Sequence, residues 1–494
     1  MLLTNLIAAD EDALEGSDRD ITGITADSRR VEPGFLFVAI PGAAHDGRDF
    51  IPDAIARGAL AVLVPEESAE ARLRWGGAKL DIHELVSIVT TRDVRKAVSG
   101  IAARYYPRQP ANIAAVTGTS GKTSTAQFTR EIWQALGRKS ASIGTLGFVT
   151  AQEARYGSLT TPDAITLHRL LDEAAGAGIT HLALEASSHG LAMNRLDHAH
   201  IKAAAFTNLS RDHLDFHGNM EDYLQTKLRL FSQVLGTDGT AVLNADTQEF
   251  EMIAGLARNR GQKCLSFGRN GRELKLLEAR LDISGQILHC EIFGKRHEIS
   301  LPVLGSFQAW NALCALGLAI ACGEDPEQAL PALARVTGVP GRLQLAGHTK
   351  DGAAVFVDYA HKPDALENVL TAIRPHVRGK LGVVVGCGGN RDKGKRPVMG
   401  QIARRLADWV IVTDDNPRNE DPALIRKEIL AGAATGPDLR EIGDRAEAIA
   451  AGIQRLQNGD VLIIAGKGHE SGQIVGDKTL PFDDAEVARR VLEL

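Results

Sequence analysis

No excess of positive charge is present: the 494-residue chain carries a formal net charge of −6. Phosphate backbones demand basic surfaces, so a nucleic-acid partner is not expected. Cysteine is sparse. Cys264, Cys290, Cys314, Cys322 and Cys387 are odd in number, scattered, and form no C-x-x-C pair. That usage suits reduced thiols in a cytosol and gives no hint of structural zinc. Long apolar runs are missing too; the longest, near Ala312 to Cys322, is too short to span a bilayer. The N-terminus has no basic region ahead of an apolar stretch, and Asp10 to Glu15 is acidic instead, so no signal peptide is expected. Internal repeats and low-complexity tracts are also lacking. These absences lead to the expectation of a cytoplasmic, soluble protein of about two to four domains with no membrane insertion.

What is there centres on Gly118-Thr119-Ser120-Gly121-Lys122-Thr123-Ser124. An apolar run, Ile113 to Val116, leads in, and a helical pattern, Ser124 to Leu136, leads out. Strand, glycine loop, Lys-Thr and helix make a phosphate-binding layout. Unpaired N–H groups at a helix start and the helix dipole favour an anion there. Lys122 would supply a mobile charge for outer phosphates and Thr123 a hydroxyl for Mg²⁺. The general pattern G-x-x-x-x-G-K-[ST] places glycine where Val116 stands, so this loop is a shorter variant. A plain glycine turn before a surface helix would not explain Lys-Thr at the helix start.

Around this loop, strand and helix patterns alternate along the chain, which predicts an α/β protein. Residues 1–108 read as a smaller N-terminal α/β unit, closed by a proline-bearing linker, Tyr105 to Pro110. Residues 109–340 read as a central, doubly wound, mostly parallel sheet. Two or three short strands, an antiparallel flap, are expected within Leu274–Leu304. Residues 341–494, after the glycine-bounded hinge Gly338 to Gly341, read as a second, Rossmann-like α/β unit. Ligands in such sheets bind at the carboxyl ends of the strands.

Several clusters sit at such ends. Glu185, closing a buried-looking strand, is placed to bind Mg²⁺ or position water, although a loop-capping role would also suit it. Asn208 to Gly218 holds Asp212, His213, Asp215 and His217; two histidines alone would suggest Zn²⁺ or Mn²⁺, and most histidines are merely hydrogen-bonded. Lys227, on an amphipathic helix, reads from spacing alone as a solvated lysine. In the third unit, Asp358 to His361, Gly386 to Arg396, Asp414 to Pro422 and Gly466 to Glu470 each follow an expected strand, which predicts one shared rim. They offer Arg391, Lys393, Arg418 and Lys467 beside Asp415 and Glu470. That mixture suits a zwitterion: arginine forks for carboxylates, acidic groups for ammonium. A solvated charged rim accounts for any one cluster better than for four in register.

Together the stretches DSRRVEPGFLFVAIPG, TGTSGKTS, LTTPDA, EASSHGL, NLSRDHLDFHG, DYAHKPDAL, GCGGNRDKGKRPVMG, DDNPRNEDP and GKGHE resemble the Mur ligases over nearly the whole length. Within that family the resemblance is to members that add meso-diaminopimelate. Their phosphate loop has the short form seen here. The resemblance implies a three-domain, ATP- and Mg²⁺-dependent ligase of peptidoglycan precursor synthesis, acting as a monomer on small molecules. ATP would phosphorylate the D-glutamate γ-carboxylate of UDP-N-acetylmuramoyl-L-alanyl-D-glutamate, and the incoming amine would displace phosphate. A carboxylate is a poor electrophile until its oxygen becomes a good leaving group.

Carried over residue by residue, the resemblance implies Lys122 and Thr123 for phosphates and the first Mg²⁺, Glu185 and His213 as metal and catalytic residues, and Lys227 as a carbamylated lysine. A carbamate presents oxygen to Mg²⁺, where an ammonium would repel it. Gly118, Thr119, Ser120, Gly121 and Ser124 complete the ATP loop, with Asn311, Arg342 and the ribose-side Asp358. Ser28 and His45 match uridine-side positions; Thr160, Thr161, Ser187 and Arg195 match contacts to the muramoyl-dipeptide. Met193 stands where the family often has glutamine. Arg391, Asp415, Asn416, Pro417, Arg418, Gly466 and Glu470 match the diaminopimelate site. Lysine-adding relatives lack the arginine at Arg418, which offers a bidentate partner to the extra carboxylate of diaminopimelate. A folylpolyglutamate synthetase shares the architecture but not the DSR…HDG unit or DNPR. An NTPase switch would explain the loop and leave the rim without a use.

Overall fold

A computed structural model describes residues 1–8, 11–42, 46–68, 86–157, 159–282 and 285–493. Its contacts divide into two compact units: Met1–Arg272 with Cys314–Ala329, and Glu273–Leu313 with Leu330–Leu494.

The first unit contains two sheets. The smaller runs in the order Asp12–Glu15, Ser87–Thr91, Ala61–Pro65, Phe35–Val38, Gly23–Thr25, parallel except for the first pair. The larger places six parallel strands in the order Lys263–Gly268, Thr240–Asn244, Ile201–Phe206, Asn112–Thr117, His181–Glu185, Ser140–Gly144. Gly147–Val149 and Ala154–Arg155 then turn antiparallel at its edge. Strand Asn112–Thr117 is therefore central, and nearly continuous apolar runs such as Ile113 to Val116 are what a strand covered on both faces requires.

Helix Val94–Tyr105 joins the two sheets. Asp93 caps it by accepting from the Arg95 and Lys96 amides, and Val98, Ile101 and Ala102 turn inward. It packs on helix Ala164–Gly176 of the larger sheet. In that seam His168 is fully buried, its Nε2 3.0 Å from the Asp197 carbonyl, while Ser99 Oγ donates to the same carbonyl at 2.8 Å.

The second unit is built on a six-stranded sheet: Gln344–His348, Ala354–Asp358, Val461–Ala465, Leu381–Val385, Trp409–Val412, Leu439–Glu441, parallel after the first pair. A hairpin, Gly472–Val475 with Lys478–Pro481, follows. The expected flap is three antiparallel strands, Leu274–Asp282, Gly285–Ile292 and Lys295–Leu301, at seven to nine residues longer than the short strands anticipated. The helix expected over Met220–Leu235 is α-helical to Arg229 and continues as a π-turn, Leu230–Val234. Among the described residues no helix is long and apolar enough to cross a membrane.

Burial pushes the His168 pKa down to about 4. The unfolded chain, with histidine near 6.5, then binds the extra proton first as pH falls. Stability complete above pH 6.5 is lost as pH drops toward 4, by about 3 kcal/mol at most. Denaturation of the first unit between pH 7 and 4.5 should show this slope, and His168→Gln should flatten it.

Candidate active site

The glycine loop leaves strand Asn112–Thr117 and enters helix Lys122–Ala135. Gly118 has φ +141°, and a Cβ there would lie 1.9 Å from Thr207 Oγ1, so no other residue fits. The loop is braced from the neighbouring strand's end: Thr119 N donates to Asn208 O, Ser120 N to Asn208 Oδ1, and Thr207 Oγ1 to Ser120 O. Lys122 folds over it, Nζ donating to Gly118 O at 2.9 Å and Thr119 O at 3.0 Å. Burial lowers the Lys122 pKa, with Glu185 and Asp212 opposing. Ser124 lies in the first helical turn and is buried.

Thr123 Oγ1 donates to Glu185 Oε2 at 3.0 Å, and Thr145 N donates to Oε1 at 2.8 Å. Glu185 is 2% exposed; burial raises its pKa while Lys122 pulls it back. Its backbone carries the next group. Thr161 Oγ1 donates to Glu185 O, Ser187 N and Oγ donate to Thr161 Oγ1, and Arg195 Nη1 donates to Thr161 O. Thr160 meets Thr145 at 3.1 Å. Met193 takes part as well, its Sδ 3.0 Å from Arg195 Nη2. The four residues matched to the muramoyl-dipeptide thus form one network rooted in the Glu185 strand end.

Lys227 overturns its reading as a solvated lysine. It is 1% exposed, donates to the same Gly118 carbonyl at 2.9 Å, and lies 4.2 Å from the Tyr223 ring centroid. Burial, then the Lys122 charge, pushes its pKa down to about 6. Amphipathic spacing could not show this, because the buried surface belongs to the distant glycine loop. His213 precedes a short helix at φ +52°, its backbone N donates to Asp212 Oδ1 at 2.9 Å, its Nε2 lies 3.4 Å from Asp212 Oδ2, and its ring stands edge-on against His189. His217 is buried among the rings of His189 and Tyr223. Among the described residues no three His, Cys, Asp or Glu side chains are grouped as they would be around a metal ion. The Asp215 side chain lies outside the described residues. Hard oxygens at Thr123 and Glu185 suit Mg²⁺, and the desolvated Glu185 charge is of the sign a cation would relieve. Two ammonium groups on one carbonyl do not suit it unless one becomes a carbamate.

Ser28, itself buried, opens the turn Ser28–Arg30 after strand Gly23–Thr25, with Asp27 capping it. His45 lies outside the described residues. In the second unit, Asn311 is buried and donates to Gln308. Asp358 accepts from Leu343 N and Ala360 N, and burial pushes its pKa up to about 6. The Arg342 guanidinium lies 5.3 Å from the Tyr359 ring.

All four charged clusters of this unit share the carboxyl rim of its parallel strands, as expected. Gly389 N donates to Asn416 O, and Arg418 Nη1 donates to Gly389 O at 2.9 Å. Arg391 donates to Asn390 O in the same loop. Asn416 Nδ2 donates to Glu470 Oε2 at 2.8 Å, and a Cβ at Gly466 would lie 2.6 Å from Asp415 Oδ2. Pro417 O would be struck by any side chain at Gly389. Arg391, Asp415, Asn416, Pro417, Arg418, Gly466 and Glu470 are therefore neighbours across three loops.

Residues 20–106 match the Mur ligase family catalytic domain, 116–319 the Mur ligase middle domain, and 341–468 the Mur ligase glutamate ligase domain. The chain belongs to the Mur ligase family. This Mur ligase is 49% identical to the UDP-N-acetylmuramoyl-L-alanyl-D-glutamate–2,6-diaminopimelate ligase of Agrobacterium fabrum, covering 96% of this chain and 93% of that one. It is 50% identical to the ligase of the same name from Rhizobium meliloti, over 96% and 94%. A solved structure of a ligase so named superposes with a TM-score of 0.71 at 34% identity, over 96% and 95%.

Sequence reasoning missed Asn208, Thr145 and Tyr223 in this Mur ligase. Each acts through tertiary contact with the glycine loop or Glu185, and neither charge nor spacing marked it. Gly144 was also passed over. A Cβ there would lie 2.0 Å from Glu185 Oε1. Gly144→Ala should lower stability by about 1–3 kcal/mol through overpacking, read by thermal denaturation.

Proposed function

We infer that this Mur ligase adds meso-2,6-diaminopimelate to the D-glutamate γ-carboxylate of UDP-N-acetylmuramoyl-L-alanyl-D-glutamate, at the expense of ATP. It is an ATP-dependent acid–amino-acid ligase of peptidoglycan precursor synthesis, read here as a cytoplasmic monomer with domains 1–108, 109–340 and 341–494. The observation that carries the choice of amino acid is Arg418, held on the rim beside Asn416 and Glu470.

The chain's residues divide the work. Backbone amides of the glycine loop and Lys122 hold the outer phosphates; Asn311, Arg342 and Asp358 hold the rest of the nucleotide. Ser28 and His45 take the uridine side, and Thr160, Thr161, Ser187 and Arg195 take the muramoyl-dipeptide, which sets its γ-carboxylate toward the phosphate. Once that carboxylate is an acyl phosphate, the neutral amine attacks its carbonyl carbon, the Lys122 charge offsets the oxyanion that develops, and the amide forms as the C–O bond breaks and phosphate leaves. Thr123, Glu185, His213 and carbamylated Lys227 would hold Mg²⁺, which neutralises phosphate charge when bound. A lysine whose pKa lies near 6 keeps a neutral, nucleophilic amine at pH 7, which supports carbamylation of Lys227. Arg391, Gly466, Asp415, Asn416 and Pro417 complete the diaminopimelate site. Lysine would leave Arg418 unmatched, which disfavours the lysine-adding reading.

Phosphate release from Mg-ATP with UDP-muramoyl-dipeptide should depend on meso-diaminopimelate and not on L-lysine. Equal release with lysine would keep the ligase and overturn the reading of Arg418; release indifferent to both would mark an NTPase. Arg418→Ala should lower kcat/KM for diaminopimelate roughly 100-fold, the loss of a charged bidentate contact. Lys227→Ala should abolish ligation with no rescue by bicarbonate, and ¹³C-bicarbonate should give the native chain a carbamate resonance that the variant lacks.

A further inference from the structure

Lys467 is fully buried, yet its ammonium is completely committed. Nζ donates to Asn416 Oδ1 at 3.1 Å, to Glu470 Oε2 at 3.1 Å and to Gly472 O at 2.6 Å. An ammonium has three protons and here has three acceptors. They come from three segments: the loop bearing Asn416 and Arg418, the loop bearing Glu470, and the start of the hairpin Gly472–Val475 with Lys478–Pro481.

The hairpin carries the contact onward. Ile474 N donates to Asn416 Oδ1 at 2.9 Å, and Gln473 Nε2 donates to Asp415 O at 2.7 Å. Arg418 N donates to Ile474 O, and Gly476 N donates to Arg418 O. That bridge holds Arg418 at φ +52°, a left-handed conformation that a non-glycine residue adopts only when its surroundings impose it. On the other side, Lys467 and Asn416 both bind Oε2 of Glu470. Among the described residues Oε1 makes no hydrogen bond, so it is the oxygen left for an incoming ammonium. Arg418 likewise uses Nη1 on Gly389 O and Asn416 O and leaves its Nε and Nη2 edge for a carboxylate.

We propose that Lys467, together with the hairpin it ties down, is the positioning residue for amino-acid selection, setting Glu470 and Arg418 at the spacing of a zwitterion's ammonium and carboxylate. The proposal rests on the diaminopimelate-ligase reading and adds to it a residue that does not itself touch substrate. Removing the ammonium strands three acceptors, the Asn416 oxygen buried among them, and frees both recognition groups to turn.

The test measures KM separately for meso-diaminopimelate, Mg-ATP and UDP-muramoyl-dipeptide in the full chain, with Lys467→Met and Lys467→Gln beside wild type. Lys467→Met should raise KM for diaminopimelate about tenfold or more, with the other two constants within about twofold, and should narrow discrimination against L-lysine. Lys467→Gln, keeping two donors, should fall between, and it decides alone if Lys467→Met does not fold. An unchanged diaminopimelate KM, or a parallel rise in all three constants, overturns the proposal. A wild type indifferent to both amino acids sinks the ligase reading; a diaminopimelate-dependent wild type with a Lys467 variant whose diaminopimelate KM is unchanged sinks this inference alone.

Discussion

The carbonyl of Gly118 accepts two ammonium groups, those of Lys122 and Lys227, and the phosphate-loop half of the protein is arranged about that convergence. Like charges at such a distance in a buried setting repel by more than a surface pair would, because the low-dielectric interior screens them poorly. Burial first, and this repulsion second, lower the Lys227 pKa, so that it sheds its proton readily. Tyr223 covers that lysine with its ring and meets Thr119 with its hydroxyl, so one side chain serves both the loop and the amine. Glu185, desolvated and anchored by Thr123 and Thr145, supplies a charge that compensates Lys122.

The charged rim of the second unit follows a different rule. Arg418 and Glu470 on it are part-exposed, but the cations Arg396 and Arg445 are buried and paired. Arg396, fully buried, binds Glu420 and Glu428, and Glu420 accepts the Asn390 amide, which locks the Arg391 loop. Arg445, buried against Asp484, donates to the carbonyls of Asp414 and Ala465, where two of the rim loops leave their strands. Buried ion pairs of this kind add little net stability, since desolvation offsets attraction. Their value here is geometric: each fixes the point at which a binding loop departs.

Much of this was legible in the chain alone. Parallel strands place every following loop at one edge, so four charged clusters after four apolar runs had to share a rim, and they do. Arg418 was legible because it stands in DDNPRNEDP, a stretch that resembles the diaminopimelate-adding members of the family. Lys227 was not. Its helix pattern is ordinary, and the atoms that bury it lie 109 positions away at Gly118. Thr145 carries no charge and no motif, and Asn208 opens NLSRDHLDFHG with nothing local to mark a role; both act as braces.

Local pattern therefore determined the α/β class, the glycine loop, the rim and the charged groups on it, because period, turn chemistry and charge are properties of short stretches. Tertiary structure alone decided which side chains lose water. Burial depends on what distant segments bring alongside, and burial is what turned Lys227 from a solvated cation into a candidate nucleophile and Lys467 from a rim charge into a three-way tie.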